Sequence, residues 1–296
     1  MPEPAILVNN LRKTFDTVVA VDSLSFQVDR GEIFGLLGPN GAGKTTTIRM
    51  LLDIIKPDAG VARVLGQAPG AARTHIGYLP EERGLYRSLR VDECLTYLGE
   101  LKGLSRARAA TRAQELLRRV ELTEWSRHKI QELSRGMQQK VQLIASLIHD
   151  PELVILDEPF QGLDPVNVEV IKRLIRELSA EGKTIALSAH EMNQVEALCN
   201  RIVLIHHGRA VLYGSLAEIK KQFSPNAITI SPPLPLDGWA QVAGVETRDG
   251  TQTIQLRPGT TSADLLKEIL NRGLTVDRFE TASMPLDQIF IRVVQD

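Results

Sequence analysis

Residues 38–45 read GPNGAGKT, a full match to G-x-x-x-x-G-K-[ST], and the flanking residues supply the context that this pattern needs. Before it, residues 31–37 (GEIFGLL) predict a short buried strand. After it, Ile48, Leu51, Leu52 and Ile55 recur at i, i+3, i+4 and i+7, which predicts a helix that stops at Lys56-Pro57. A strand, a glycine-rich turn and a helix in that order point to an α/β core of the P-loop kind. The glycines let backbone N–H groups turn inward around phosphate oxygens, and the helix N-terminus adds positive potential. Lys44 would neutralise the terminal phosphates and Thr45 would offer its hydroxyl to Mg²⁺. The expected phosphate cradle is therefore Gly38, Pro39, Asn40, Gly41, Ala42, Gly43, Lys44, Thr45 and Thr46, with Mg²⁺ beside the phosphates. A chance glycine turn is the competing reading, and the elements on either side argue against it.

A second apolar run, residues 153–156, ends in Asp157-Glu158-Pro159. Beside a phosphate loop such a strand delivers carboxylates to the metal and the water: Asp157 would hold Mg²⁺, and Glu158 would orient or deprotonate the attacking water. Without the loop, two acids at a strand end read equally as a solvated turn.

The bulk numbers exclude several classes. With 43% apolar and 24% charged residues over 296 positions, the chain has the balance of a packed soluble protein. Lys and Arg total 35 against 36 Asp and Glu, so no global field favours nucleic acid or anionic lipid. Cys94 and Cys199 fit neither a disulfide framework nor a metal cluster, which suits a reducing cytosol. The stretch MPEPAILVNN has no secretion-signal pattern, and no apolar run is long enough to span a bilayer. Work at a membrane would have to go through a partner.

Between the loop and the Asp157 strand lies LSRGMQQK at 133–140. With the loop and the acids, it resembles the ATP-binding subunits of ABC transporters, whose signature is L-S-G-G-Q; Leu133, Ser134 and Gly136 match, whereas Arg135 and Met137 depart. Ser134 and the backbone at Gly136 would open a helix over 137–148 whose N–H groups can face a γ-phosphate. The resemblance implies that this phosphate belongs to a second subunit's ATP. It further implies that Gln161-Gly162-Leu163-Asp164 is the D-loop, with Asp164 coupling two sites across a dimer. By the same resemblance His190, after the strand-like run 184–189, contacts the γ-phosphate, and Phe15 stacks on adenine, unless Phe15 is a core aromatic. The other histidines, at 75, 128, 149, 206 and 207, are expected at the surface.

The stretch GYLPEERGLY at 77–86 then takes the place of the family's Q-loop, with Glu81 where glutamine is usual. A glutamate can ligate Mg²⁺, a hard cation, so Glu81 joins Thr45 and Asp157 as a candidate metal ligand and Lys44, Glu158 and His190 as a catalytic candidate. The alternative is a solvated Glu81 in a loop after a strand over 74–79.

The implied fold is α/β: a P-loop core of ABC type with an antiparallel β subdomain over 6–28 and a helical insert about 85–145, closed by a small C-terminal α+β domain. The nucleotide domain is expected over 1–224, with LAEIKKQF as its last helix, and the accessory domain over 225–296. There a hairpin is expected around Asp249-Gly250, a helix at 262–271, a strand at 274–280 and a final helix at 285–294. Such a tail resembles that on ATPase subunits of some bacterial exporters with ABC-2-type permeases, linked to sodium or drug efflux. Arg106, Arg108, Arg112, Arg118 and Arg119 in the insert read as a solvated face, with lipid or nucleic-acid contact as the alternative. The resemblance implies a homodimer or pseudo-dimer on an integral membrane permease at the inner face of the membrane, contacted near Gly84-Leu85-Tyr86, with no nucleic-acid partner. Two other classes remain open: a non-transport ABC-type ATPase acting on nucleic acid or ribosomes, and a module that binds ATP without turnover.

Overall fold

The structure, a computed structural model, describes residues 3–82, 84–236, 238–248 and 250–295. By its internal contacts the chain divides into two units, residues 1–216 and 217–296.

In the first unit β1 (Ile6–Phe15) and β2 (Val18–Val28) pair antiparallel, with Ile6 opposite Val28 and Phe15 opposite Val18. Next, β3 (Ile33–Leu37) is buried at every position, as a strand covered on both faces must be. The helix after the phosphate loop, α1 (Lys44–Leu51), stops one turn short of the expected Ile55. Asp53 takes a left-handed φ of 58°, and the Ile54 N–H then turns back to Arg49 O at 2.9 Å, which closes the helix before Pro57 can. β4 (Ala59–Val64) pairs with β1 and completes a three-stranded antiparallel sheet.

The strand expected over 74–79 is shorter. A 3-10 turn over Pro69–His75 precedes β5 (Ile76–Leu79). The insert follows as α2 (Val91–Leu101), α3 (Arg106–Arg119) and α4 (Arg135–Leu147). Two of its arginines are tied down: Arg112 pairs with Glu115 at 2.8 Å and Asp150 at 3.3 Å, and Arg119 with Glu181 at 2.8 Å and Glu177 at 3.0 Å. These pairs hold α3 to the core side, while Arg106, Arg108 and Arg118 are exposed, as a solvated face requires.

The chain returns through β6 (Leu153–Leu156), α5 (Pro165–Ala180), β7 (Thr184–Ala189), α6 (Met192–Glu196), β8 (Arg201–His206) and β9 (Arg209–Ser215). The six-stranded sheet has the order β5-β6-β7-β3-β8-β9, parallel except for β9. The loops after β3, β5, β6 and β7 therefore leave the sheet at one end, the carboxyl ends of parallel strands, where open α/β sheets bind ligands.

α7 (Leu216–Phe223) crosses the division at 216/217, so all but its first residue falls in the second unit. That unit has a four-stranded sheet of β10 (Ala227–Ser231), β11 (Val242–Arg248), β12 (Thr251–Leu256) and β13 (Arg278–Thr281), in the order β11-β12-β10-β13. β11 and β12 form the expected hairpin; Asp249 itself lies outside the described residues. β10 runs through AITIS in the proline-rich stretch between α7 and the hairpin, where no strand is predicted, and it pairs with both β12 and β13. Helices α8 (Ser262–Asn271) and α9 (Leu286–Gln295) complete the unit, with Leu265 and Ile269 of α8 in a core with Ile228, Ile230 and Ile254.

Candidate active site

Steric demands make two loop glycines obligatory. At Gly38 (φ 149°) a Cβ would meet Ile205 O at 2.2 Å, and at Gly43 (φ 106°) it would meet Ala20 O at 2.4 Å. With no side chain at either position, the loop folds tightly over the end of β3 and opens α1 with free backbone N–H groups. The loop lines a cavity of about 250 Å³ with Ala20, Asn40, Gly41, Ala42, Gly43, Lys44, Thr45, Thr46, Glu81 and Glu158. Lys44 is only 5% exposed, and its Nζ donates to Gly38 O at 2.7 Å and Pro39 O at 3.2 Å. The same ammonium lies 3.3 Å from Glu158 Oε1. This ion pair lacks hydrogen-bond alignment, since Glu158 Oε1 has no hydrogen-bond partner.

Behind the cavity the two acids after β6 have different surroundings. Asp157 is fully buried, and that burial pushes its carboxyl above the usual range. Its Oδ1 accepts from Ser188 Oγ at 2.6 Å and from Thr45 Oγ1 at 3.4 Å, while its Oδ2 is buried without a partner. Glu158 has a left-handed φ of 49°, and its N–H donates to Ser188 Oγ at 2.9 Å. Its Oε2 accepts from His190 Nδ1–H at 2.8 Å. Ser188 thus orients both acids, and the sequence reading missed it. The available signal is a second hydroxyl, after Thr184, in the buried TIALSA of β7, two residues before His190.

The donor set suits Mg²⁺. An orphaned carboxylate oxygen on Asp157 beside the Thr45 hydroxyl is a hard-oxygen arrangement, with Glu81 lining the same cavity. Among the described residues no trio of His, Cys, Asp or Glu could hold a metal by itself. Mg²⁺ does not require one, because it binds through one or two carboxylates plus phosphate oxygens and water.

Glu81 is exposed, and its Oε1 accepts from Gln161 Nε2 at 3.4 Å. Ser134, Gly136, Asp164 and Phe15 do not line the cavity of their own chain. Ser134 is the exposed N-cap of α4, its Oγ accepting from Met137 N at 3.3 Å. A Cβ at Gly136 would meet Asn167 Nδ2 at 2.7 Å, so α4 begins against the start of α5. Asp164 caps α5, accepting from Asn167 N at 3.0 Å and from its Nδ2, and these bonds hold the carboxyl below its usual range. Its carboxylate is thus engaged within its own chain. Phe15 is 45% exposed with Lys13 Nζ at 5.5 Å from its ring centre, so it is not a core aromatic.

Two of the histidines expected at the surface, His149 and His206, are only partly exposed. His149 is half-buried, its Nε2–H donates to Ile76 O at 3.0 Å, and burial lowers its pKa to about 4.

A family model described as ABC transporter matches residues 21–161, and one described as ATP-binding protein DrrA1-3-like, C-terminal domain, matches 214–294. The uncharacterized ABC transporter ATP-binding protein YhaQ of Bacillus subtilis is 38% identical over 294 residues, which is 98% of each chain. Nod factor export ATP-binding protein I of Paraburkholderia xenovorans is 40% identical over 241 residues, covering 80% of this chain and 79% of that one. A solved ATP-binding subunit of an ABC transporter superimposes with a TM-score of 0.68 at 34% identity, over 74% of this chain and 93% of its own.

Proposed function

This chain belongs to the ABC transporter family of ATP-binding proteins, and on that premise we propose that it powers export through a separate ABC-2-type membrane permease, working as a dimer. The family's reaction is ATP hydrolysis. The observation that carries the reading is the Lys44–Glu158–His190 constellation at the mouth of the phosphate loop, with ion-pair or hydrogen-bond distances of 3.3 and 2.8 Å.

Lys44, buried and aimed at two carbonyls, exchanges them for β and γ phosphate oxygens. Bound Mg²⁺, held by Thr45 and Asp157 with Glu81 as a further oxygen donor, would neutralise charge on the terminal phosphates. Glu158 takes a proton from the attacking water, whose oxygen bonds to the γ phosphorus as the bond to the β–γ bridging oxygen breaks, leaving ADP and phosphate. His190 fixes the direction of the Glu158 carboxylate through Nδ1 and leaves Nε2 for the γ phosphate. Phe15 offers an exposed ring for the adenine. Ser134 and the α4 N-terminus, exposed and absent from their own chain's cavity, serve the nucleotide of a second copy. That division of labour is why each subunit alone is a poor catalyst, and why Gly136 and Asp164 matter at the seam.

No helix among the described residues is long and apolar enough to cross a membrane. The proposed place of work is the inner face of the membrane, through the permease. The surface around Gly84-Leu85-Tyr86, with Tyr86 48% exposed and edge-on to Tyr97 at 5.6 Å, is the proposed contact. Export, rather than import, is supported by the Nod factor relative's name and by the DrrA1-3-like tail. A balance of 35 basic against 36 acidic residues supplies no field for nucleic acid, and no observation favours that alternative. Co-expression with a multi-span protein encoded beside this gene tests the reading: the subunit should stay on membranes only when that protein is present, and Glu158→Gln should abolish the complex's ATP turnover while it still binds ATP. Membrane retention without the permease, or turnover in Glu158→Gln, would contradict it.

A further inference from the structure

Glu81 sits between two carbonyls that are held by one side chain. Gln142, two turns beyond Ser134 in α4, donates from Nε2 to Glu82 O at 2.9 Å and to Pro80 O at 3.3 Å. Two carbonyls on the same side settle which end of the amide faces the loop, since only nitrogen can donate to both. Gln142 is 6% exposed, and its Oε1 is buried with no hydrogen-bond partner among the described residues. A buried amide oxygen left unpaired costs stability, and an apolar side chain of the same size would avoid that cost. α4 buries polar Gln139, Lys140 and Ser146 as well as apolar Val141, Leu143 and Ile144, so burial by itself does not account for an amide whose oxygen is left unpaired. The side chain is there for its two donors.

The attachment matters because of where the loop is otherwise held. Leu79 O accepts from Asp157 N at 2.9 Å and anchors the end of β5. Beyond that point the carbonyls on either side of Glu81 go to Gln142, and the Glu81 carboxylate goes to Gln161 in the loop after Glu158. Backbone position is thus set from the helix that Ser134 caps, and head-group position from the strand end that carries the acids.

We infer that Gln142 is a positioning residue: its amide sets where the Glu81 carboxylate stands in the nucleotide cavity, and ties that position to the helix that presents Ser134 to the second copy. A shift of α4 then moves Glu81 with it, through hydrogen bonds. This rests on the proposed role of Glu81 as an oxygen donor at the nucleotide.

The test uses Gln142→Met, which keeps the length and buried volume and removes both donors, with Gln142→Asn as a second variant that keeps the amide one methylene short. In the nucleotide-free protein, the backbone amides of Glu81, Glu82 and Gly84 should exchange with deuterium about tenfold faster in Gln142→Met, while core strands keep their protection. In nucleotide binding followed with a fluorescent ATP analogue, half-saturating Mg²⁺ should rise about tenfold in Gln142→Met and less in Gln142→Asn, with analogue affinity at saturating Mg²⁺ unchanged. In a Glu81→Ala background, Gln142→Met should add nothing further. An unaltered Mg²⁺ dependence in Gln142→Met, where Glu81→Ala does shift it, would overturn this inference alone. So would an equal shift from Gln142→Met with Glu81 already removed. No shift in Glu81→Ala would overturn the reading of Glu81 itself, and this inference with it.

Discussion

Glu158 Oε2 accepts a hydrogen bond from His190 Nδ1 at 2.8 Å. The contact joins the end of β6 to the end of β7 and directs the carboxylate before any nucleotide is bound. It also requires a proton on Nδ1, because a carboxylate can only accept. With Lys44 Nζ at 3.3 Å from the other oxygen, the base rests between two cations or donors.

Removing the imidazole should therefore damage chemistry more than binding. His190→Ala is expected to lower kcat by about 10²-fold or more, the usual scale for a lost proton-handling group, while ATP affinity changes little. Steady-state kinetics with an equilibrium binding assay checks this, and equal losses in both would contradict it.

Ser188 bonds the Asp157 carboxylate and the Glu158 N–H at once, so its loss leaves that buried N–H unsatisfied and Asp157 Oδ1 with only the 3.4 Å contact to Thr45. Ser188→Ala should cost about 1–3 kcal/mol of unfolding free energy, read from a shift in urea midpoint at constant slope, and should also slow hydrolysis. A stable variant with normal turnover would show that Asp157 and Glu158 orient themselves.

His149 gives the chain a pH dependence with a definite sign. Its folded pKa lies near 4 against 6.5 in the unfolded chain, through burial first and then the nearby Lys102, with Asp150 and the Ile76 carbonyl opposing and His75 adding slightly. Between pH 6.5 and 4 the unfolded state binds the extra proton, so stability is full above 6.5 and is lost as pH falls toward 4. The loss should be at most about 3 kcal/mol, less for partial exposure. His149→Gln retains a donor for Ile76 O and should flatten the stability curve across that window; an unchanged curve would contradict the assignment.

Phe15 is proposed to carry the base of the nucleotide and none of its phosphates. Phe15→Ala should weaken ATP binding by about 1–3 kcal/mol, the range for a lost base–aromatic contact, and leave the affinity for inorganic triphosphate unchanged. Competition titrations with both ligands check it, and parallel losses would show that the residue supports the fold of β1.

Much of this was legible before the structure because it depends on local pattern. The loop at 38–45 and the runs at 31–37 and 153–156 are each contiguous in sequence, and the structure keeps 33–37 of the first run and all of 153–156 as strand. What was missed depends on contacts between distant residues. Gln142 reads as an ordinary helix residue until a loop 60 positions earlier is placed against it. Ser188 reads as a strand residue until Asp157, 31 positions earlier, is found on its hydroxyl. β10 is only five residues long among prolines, and its strand character comes from β12 and β13 on either side. Asp164 also caps its own helix, a local role that its family position alone does not indicate.

The central claim is that one copy's Ser134 completes the other copy's nucleotide site. Mixing two inactive variants tests it directly, because Lys44→Ala destroys the loop while Ser134→Arg blocks the signature. If the two residues act on the same nucleotide from different chains, half of the sites in a mixed dimer are wild type at both positions, and the mixture should regain ATP hydrolysis that neither variant shows alone. If Ser134 serves its own chain's nucleotide, no intact site can form. A mixture that stays inactive, while subunit exchange is verified by tagged copies, would contradict the account.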